Sequence, residues 1–133
     1  MVEFLSKPAN PNGTDYMKLS NIVDVLNASV LTGEDQLDKE IFTGGASDLM
    51  SDILAGISEG CILLTGLTTI QVIRTAMVAD VGAVVFVRGK KAPEEVIEHA
   101  RSQGVTLLSS PYSMFVSCGK LYSSGITGLD GTK

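Results

Sequence analysis

Four short segments of this chain carry the residue types that bind anions. They are Thr43-Gly44-Gly45-Ala46-Ser47-Asp48, Thr65-Gly66-Leu67-Thr68-Thr69, Arg88-Gly89-Lys90-Lys91 and Ser109-Ser110-Pro111. Each is small, hydroxylic, glycine-containing or basic. Glycine lets a ligand approach the backbone closely. A helix start offers unpaired N–H groups and a partial positive charge. Arg88 adds a planar fork that grips phosphate or carboxylate. It belongs, with Lys90 and Lys91, to the main basic cluster of a chain whose net charge is −5. The candidate ligand-binding set is therefore Thr43, Gly44, Gly45, Ser47, Asp48, Thr65, Gly66, Thr68, Arg88, Gly89 and Ser109. Each segment has a plainer explanation beside this one. Strand-to-helix turns need Gly for geometry and Ser, Thr or Asp as helix caps, so Ser47 or Asp48 and Thr68 or Thr69 could be caps only. Lys90 and Lys91 read separately as a solvated surface pair.

Catalytic patterns are missing from the same residues. There is no GxxxxGK[ST] and no GxGxxG. The one histidine, His99, sits four residues from Glu95 and reads as a surface pair. One His without a CxxC makes no ordinary zinc site. Asp48 and Asp52, one helical turn apart, could hold magnesium beside a phosphate; the plainer reading has Asp48 favouring a helix start and Asp52 solvated. No cofactor and no metal is expected, and no catalytic residue can be named.

These segments need a scaffold, and the rhythm of apolar residues supplies one. Asp48–Ile57, Thr69–Ala79, Pro93–Gln103 and Tyr112–Ser123 read as helices. Leu49, Met50, Ile53, Leu54 and Ile57 should face inward on the first, and Ile70, Ile73, Ala76 and Met77 on the second. The last carries Met114, Phe115, Cys118, Leu121 and Tyr122, and could pack in the core or present a dimer face. Pro93 suits a first turn, and Gly104 and Gly125 suit helix ends. Cys61–Thr65, Ala83–Val87 and Thr106–Ser109 are strands between them. Upstream, Ser20 is a candidate cap for a helix bearing Ile22, Val23 and Leu26. Val30-Leu31 and Ile41-Phe42-Thr43 are short strands. Continuous apolar strands alternating with helices imply a parallel sheet covered on both faces. The expected fold is α/β: one three-layer domain, a mainly parallel sheet of about four to six strands flanked by helices. Strand ends then meet at one rim, where open α/β sheets bind ligands.

Composition narrows the function. A chain of 133 residues, 44% hydrophobic, fits one domain with its own core. The expected layout is an arm over 1–16, the domain over 17–128 and a frayed tail over 129–133. The negative charge argues against nucleic acid and an anionic membrane surface as partners. Cys61 and Cys118 are too few for a disulfide framework and read as buried thiols in a reducing cytosol. Met1–Leu5 has no signal pattern. The cytoplasm is the expectation.

The rim segments also carry a resemblance. Thr43-Gly44-Gly45-Ala46-Ser47-Asp48-Leu49-Met50-Ser51-Asp52, Leu64-Thr65-Gly66-Leu67-Thr68, Val85-Phe86-Val87-Arg88-Gly89-Lys90 and Leu108-Ser109-Ser110-Pro111-Tyr112-Ser113-Met114-Phe115 resemble the DRTGG domain family over about Met17–Gly128. The resemblance implies a compact α/β fold and a regulatory or dimerising role. It implies relatives beside CBS domains in nucleotide-regulated pyrophosphatases, a kinship of fold with the N-terminal domain of HPr kinase/phosphorylase, and no catalytic residues. The name-giving Asp-Arg is Ile41-Phe42 here. A role for that pair, as an ion pair across subunits or an anion contact, cannot carry over. Arg88 is the candidate substitute.

Three functions follow. The first is a non-catalytic regulatory domain that homodimerises and senses a small anionic metabolite, such as an adenine nucleotide, at the rim. The second is a purely structural module that pairs with itself or with a partner enzyme. The third is a phosphoryl-transfer enzyme using Asp48, Asp52 and magnesium; positioned groups around a phosphoryl centre are too few to favour it.

Overall fold

The three apolar strands lie side by side, as their covered faces require. The computed structural model describes residues 16–56 and 58–129. The arm expected over 1–16 falls outside them except for Tyr16, and so does Ile57. In chain order the elements are β1 (Met17–Lys18), α1 (Leu19–Val25), β2 (Ser29–Thr32), a single 3-10 turn (Glu34–Gln36), β3 (Glu40–Ile41) and β4 (Thr43–Ala46). Then follow α2 (Met50–Ala55), β5 (Ile62–Thr65), α3 (Ile70–Ala79), β6 (Ala83–Phe86), α4 (Glu94–Ser102), β7 (Leu107–Ser109), α5 (Met114–Ser123) and β8 (Thr127–Gly128).

The main sheet has six strands in the order β2-β7-β6-β5-β4-β8, and β1 pairs with β3 as a separate ribbon. β4, β5, β6, β7 and β8 are mutually parallel. Only β2, on the outer edge of β7, runs antiparallel. The fold is thus the expected α/β domain with a mainly parallel sheet.

Each face of the sheet has its own core. Met50 and Ile53 of α2, Val72, Ile73 and Ala76 of α3, and Val96 and Ala100 of α4 pack on Leu63, Val84, Phe86 and Leu107. On the other face, Leu19 and Ile22 of α1 and Leu121 of α5 pack on Ile62, Leu64, Val85 and Leu108. Alternate residues of β5 and β6 thus serve opposite cores, and all eight are buried. Burying one such side chain stabilises the fold by about 1.5–3 kcal/mol. With helices on both faces, the domain has three layers.

Several local expectations are corrected. Ser20 lies inside α1, whose N-cap is Lys18. The ribbon starts the helix early, because the Leu19 and Ser20 N–H groups donate to Lys39 and Leu37 carbonyls. Val30-Leu31 extends to Ser29–Thr32. Ile41-Phe42-Thr43 is not one strand: β3 ends at Ile41 and β4 begins at Thr43. Gly44 and Gly45 lie within β4 because neighbours crowd both its faces. A Cβ on Gly44 would meet Ile126 Cγ2 and Ile62 Cγ2 at 3.1 Å, and one on Gly45 would meet Leu129 Cδ1 at 2.7 Å. Leu129, expected in the tail, packs beside the α2–α4 core.

Helix faces also depart from the sequence pattern. α2 is six residues long and buries only Met50 and Ile53. Leu49 and Leu54 are 59% and 50% exposed. Met77 is exposed, whereas Val72 is buried in its place. On α5, Phe115 and Tyr122 are exposed. The expected helix ends at Gly104 (φ +72°) and Gly125 (φ +110°) hold, both left-handed.

Candidate functional site

Parallel pairing puts the four turns at one edge. Ala46 is level with Leu64, Leu64 with Val85, and Val85 with Leu108. The next rung joins Thr65, Phe86 and Ser109. The turns that start at Ser47, Gly66, Val87 and Ser110 therefore leave the sheet on the same side. Strand spacing makes that row roughly 14 Å across.

Ser47, Asp48, Thr65, Gly66, Thr68, Arg88, Gly89 and Ser109 all belong to this rim. Thr43, Gly44 and Gly45 do not, since they form β4 itself. Thr43 pairs with Thr127 near the far end of the strand. Gly44 and Gly45 line a different hollow, of about 120 Å³, between β4, β8 and α5, with Leu64, Cys118, Leu121 and Tyr122 around it.

Side chains stitch neighbouring turns together. Asp48 Oδ1 accepts from the Gly66 N–H at 2.6 Å and from the Thr65 hydroxyl at 3.0 Å. Thr65 Oγ1 in turn accepts from the Leu67 N–H. Lys90 Nζ donates to the Gly66 carbonyl at 2.9 Å. A Cβ on Gly66 would lie 3.3 Å from Asp48 Oδ2 and 3.6 Å from Lys90 Nζ, so carboxylate and ammonium flank the same α-carbon. Ser109 Oγ donates to the Lys90 carbonyl at 3.4 Å, and Ser110 Oγ to the Leu26 carbonyl at 2.7 Å.

Two plainer readings are corrected here. Asp48 does not cap α2, whose N-cap is Leu49 with no side-chain bond; Ser47 Oγ accepts from the Leu49 N–H instead. Lys90 is not a solvated partner of Lys91, because it crosses to the β5 turn. Sequence reasoning placed Lys90 and Ser110 in the rim segments but left both out of the candidate ligand-binding set. Their signal was available only as hydroxyl and ammonium groups next to glycine and proline, which says nothing about partners in other turns.

Arg88 has the least ordinary backbone of the rim. Its φ is +64°, followed by +63° at Gly89. For a residue with a Cβ that conformation costs roughly 1–2 kcal/mol. Two hydrogen bonds hold it: Arg88 N–H to the Tyr112 carbonyl at 2.7 Å and Gly89 N–H to the Ser110 carbonyl at 2.8 Å. The chain after β6 goes to α4 on one face and the chain after β7 goes to α5 on the other. Such a divergence opens a crevice at the strand ends. Here the two backbone bonds tie the β6 and β7 turns together, and Arg88 is exposed. Among the described residues the ion pair is Arg101–Glu34, at 3.6 Å and away from the rim.

Metal and thiol chemistry find little support. No group of three metal-ligating side chains occurs among the described residues. Asp48 is engaged as above, and Asp52 is exposed on α2. No His99–Glu95 ion pair forms among the described residues. Both cysteines are free; Cys61 is buried as expected, whereas Cys118 is only partly buried, because it lines the hollow beside β4. Burial pushes the Cys61 thiol up to about 11 and raises Cys118 as well.

A three-layer α/β domain with a polar, glycine-bearing rim is the class these features define. The DRTGG domain model matches residues 21–123, and the chain belongs to that family. Ile41, at the family's Asp position, is buried, and Phe42, at its Arg position, is exposed with its ring 5.4 Å from that of Tyr16. Among solved structures, the chain is similar to the CBS and DRTGG domains of the regulatory region of Clostridium perfringens pyrophosphatase, complexed with the activator diadenosine tetraphosphate. The TM-score is 0.67 at 21% identity, over 82% of this chain and 47% of that one. The chain thus spans about half of that structure. No match is found among curated proteins.

Proposed function

We propose that this chain is a regulatory domain that binds a small anionic metabolite, with an adenine nucleotide as the leading candidate, at the rim formed by the ends of β4–β7. The observation that carries the reading is Arg88, held left-handed and exposed where the β6 and β7 turns diverge. Strained, solvent-facing residues of this kind cluster at ligand sites. Gly89 is exposed and keeps the approach open, Thr68, Ser47 and Ser109 supply hydroxyls, and Gly66 and Thr65 are buried and bonded to Asp48. The named activator of the similar pyrophosphatase region is an adenine nucleotide, which agrees with the anion class. The chain works as a homodimer in the cytoplasm and acts on a partner enzyme without itself being catalytic. Among the described residues no helix is long and apolar enough to cross a membrane.

A ligand that binds only the folded state raises its melting temperature. Titration with ATP and with diadenosine tetraphosphate should raise it, and Arg88→Ala should abolish the rise. An unchanged rise in that variant removes Arg88 from the site.

One observation favours the second reading, a pure interaction module. Phe115 is 87% exposed, and Val116 and the partly buried Val25 line the same shallow surface between α5 and α1. A stable dimer on sizing, with no thermal shift across a metabolite panel, would select this reading.

A further inference from the structure

The donors best suited to an oxyanion at the rim already hold one. Gly66 N–H and the Thr65 hydroxyl donate to the Asp48 carboxylate, and the Lys90 ammonium, bonded to the Gly66 carbonyl, lies on the other flank of the Gly66 α-carbon. Ionised acceptors make the strongest hydrogen bonds, and a backbone N–H beside an ammonium is a common oxyanion cradle. We propose that Asp48 is an internal ligand, which an incoming phosphate displaces from the Gly66–Thr65–Lys90 cradle. This rests on the rim being the anion site.

Three observations carry it. First, Asp48 bonds to the next turn through Oδ1 and is exposed, so a competitor can reach it from solvent. Second, a phosphate cannot share the cradle with the carboxylate, because like charges in contact repel strongly. Third, the segment bearing Asp48 is lightly held. It leads into α2, six residues with no side-chain cap and two buried side chains. A helix that short has little stability of its own. Releasing Asp48 gives up its two bonds and loosens Ser47, whose N–H donates to the Leu64 carbonyl. The exposed Leu49 and Leu54 flank this segment, so ligand arrival changes an apolar surface that a partner can read.

The test titrates ATP and, separately, inorganic pyrophosphate by calorimetry into the full chain, Asp48→Asn and Arg88→Ala. Removing the internal charge should tighten binding about tenfold in Asp48→Asn. Binding by the wild type that Arg88→Ala loses, with no tightening in Asp48→Asn, keeps the rim reading and overturns this one. Absence of binding to both wild type and Asp48→Asn overturns both. Amide hydrogen exchange on the wild type keeps the proposal falsifiable if Asp48→Asn does not fold. Saturating ATP should speed exchange across 50–55; unchanged or slowed exchange there contradicts displacement.

Discussion

The two ends of the sheet are closed by different means. At the end where β5 and β6 begin, backbone meets backbone. Gly60 N–H donates to the Asp80 carbonyl at 2.8 Å, and Gly82 N–H to the Cys61 carbonyl at 2.7 Å. A Cβ on Gly82 would sit 2.7 Å from the Gly60 oxygen and 2.7 Å from Ile41 Cδ1. Lys39 Nζ adds one side-chain tie, to the Gly82 carbonyl at 2.9 Å, but these backbone bonds cannot change partners without breaking the fold. At the opposite end, the ties between the β4, β5 and β6 turns are side chains that reach across from Asp48 and Lys90. A side chain can exchange one partner for another at modest cost. The closed end therefore secures stability, and the stitched end is where the proposed ligand would act.

The contrast is sharpest for substitutions at each end. Gly82→Ala should destabilise the domain by about 3 kcal/mol, because the rigid backbone cannot make room for a methyl. Urea denaturation reads this, and a loss below 0.5 kcal/mol would remove the rigid end from the account. Cys61 lies at the same end, fully buried. Burial raises its thiol from 9.0 to about 11. The folded state therefore holds the proton more tightly than the unfolded chain. That contribution is complete below pH 9.0 and is lost as pH rises through about 11. Stability of the wild type should fall across this window more steeply than that of Cys61→Ala, measured by denaturation at fixed pH. Parallel slopes would contradict it.

Effects at the stitched end should be smaller. Thr65→Val removes a buried hydroxyl that donates to Asp48 and accepts from Leu67. It should cost about 1.5 kcal/mol and speed exchange of the Gly66 and Leu67 amides. Equal protection in the variant would show that the hydroxyl is not part of the tie. Arg88→Gly should do the opposite. Glycine relieves the left-handed strain, while a freer unfolded chain offsets part of the gain, leaving a net stabilisation of about 0.5 kcal/mol. The same variant should lose the nucleotide-induced thermal shift. A variant less stable than wild type would mean that the Arg88 side chain itself holds the turn.

The sequence made the frame legible and left the stitches hidden. Unbroken apolar runs at Ile62–Thr65 and Ala83–Phe86 imposed a covered parallel sheet, and its strand ends imposed a shared rim. Glycine was the weak signal. In Thr43-Gly44-Gly45 it reads as a turn, yet it forms β4 because Ile126 and Leu129 need the space. Both residues follow α5, more than eighty positions away, so no local pattern could reveal the contact. Asp48 and Lys90 were legible by type but not by partner: the groups they reach lie 18 and 24 residues away in the chain. Exposed apolar residues misled for a related reason. Leu49, Leu54 and Phe115 match a helical stripe, but one short or edge-lying helix has room to bury only part of it.

The central claim is that the β4–β7 rim binds an anion, and amide chemical shifts recorded during an ATP titration test it most directly. The account predicts saturable shifts at Asp48, Gly66, Arg88, Gly89 and Ser110, with Gly60 and Gly82 at the closed end unmoved. Shifts confined to α5 and the hollow beside Cys118, or none at saturating ATP, would contradict it.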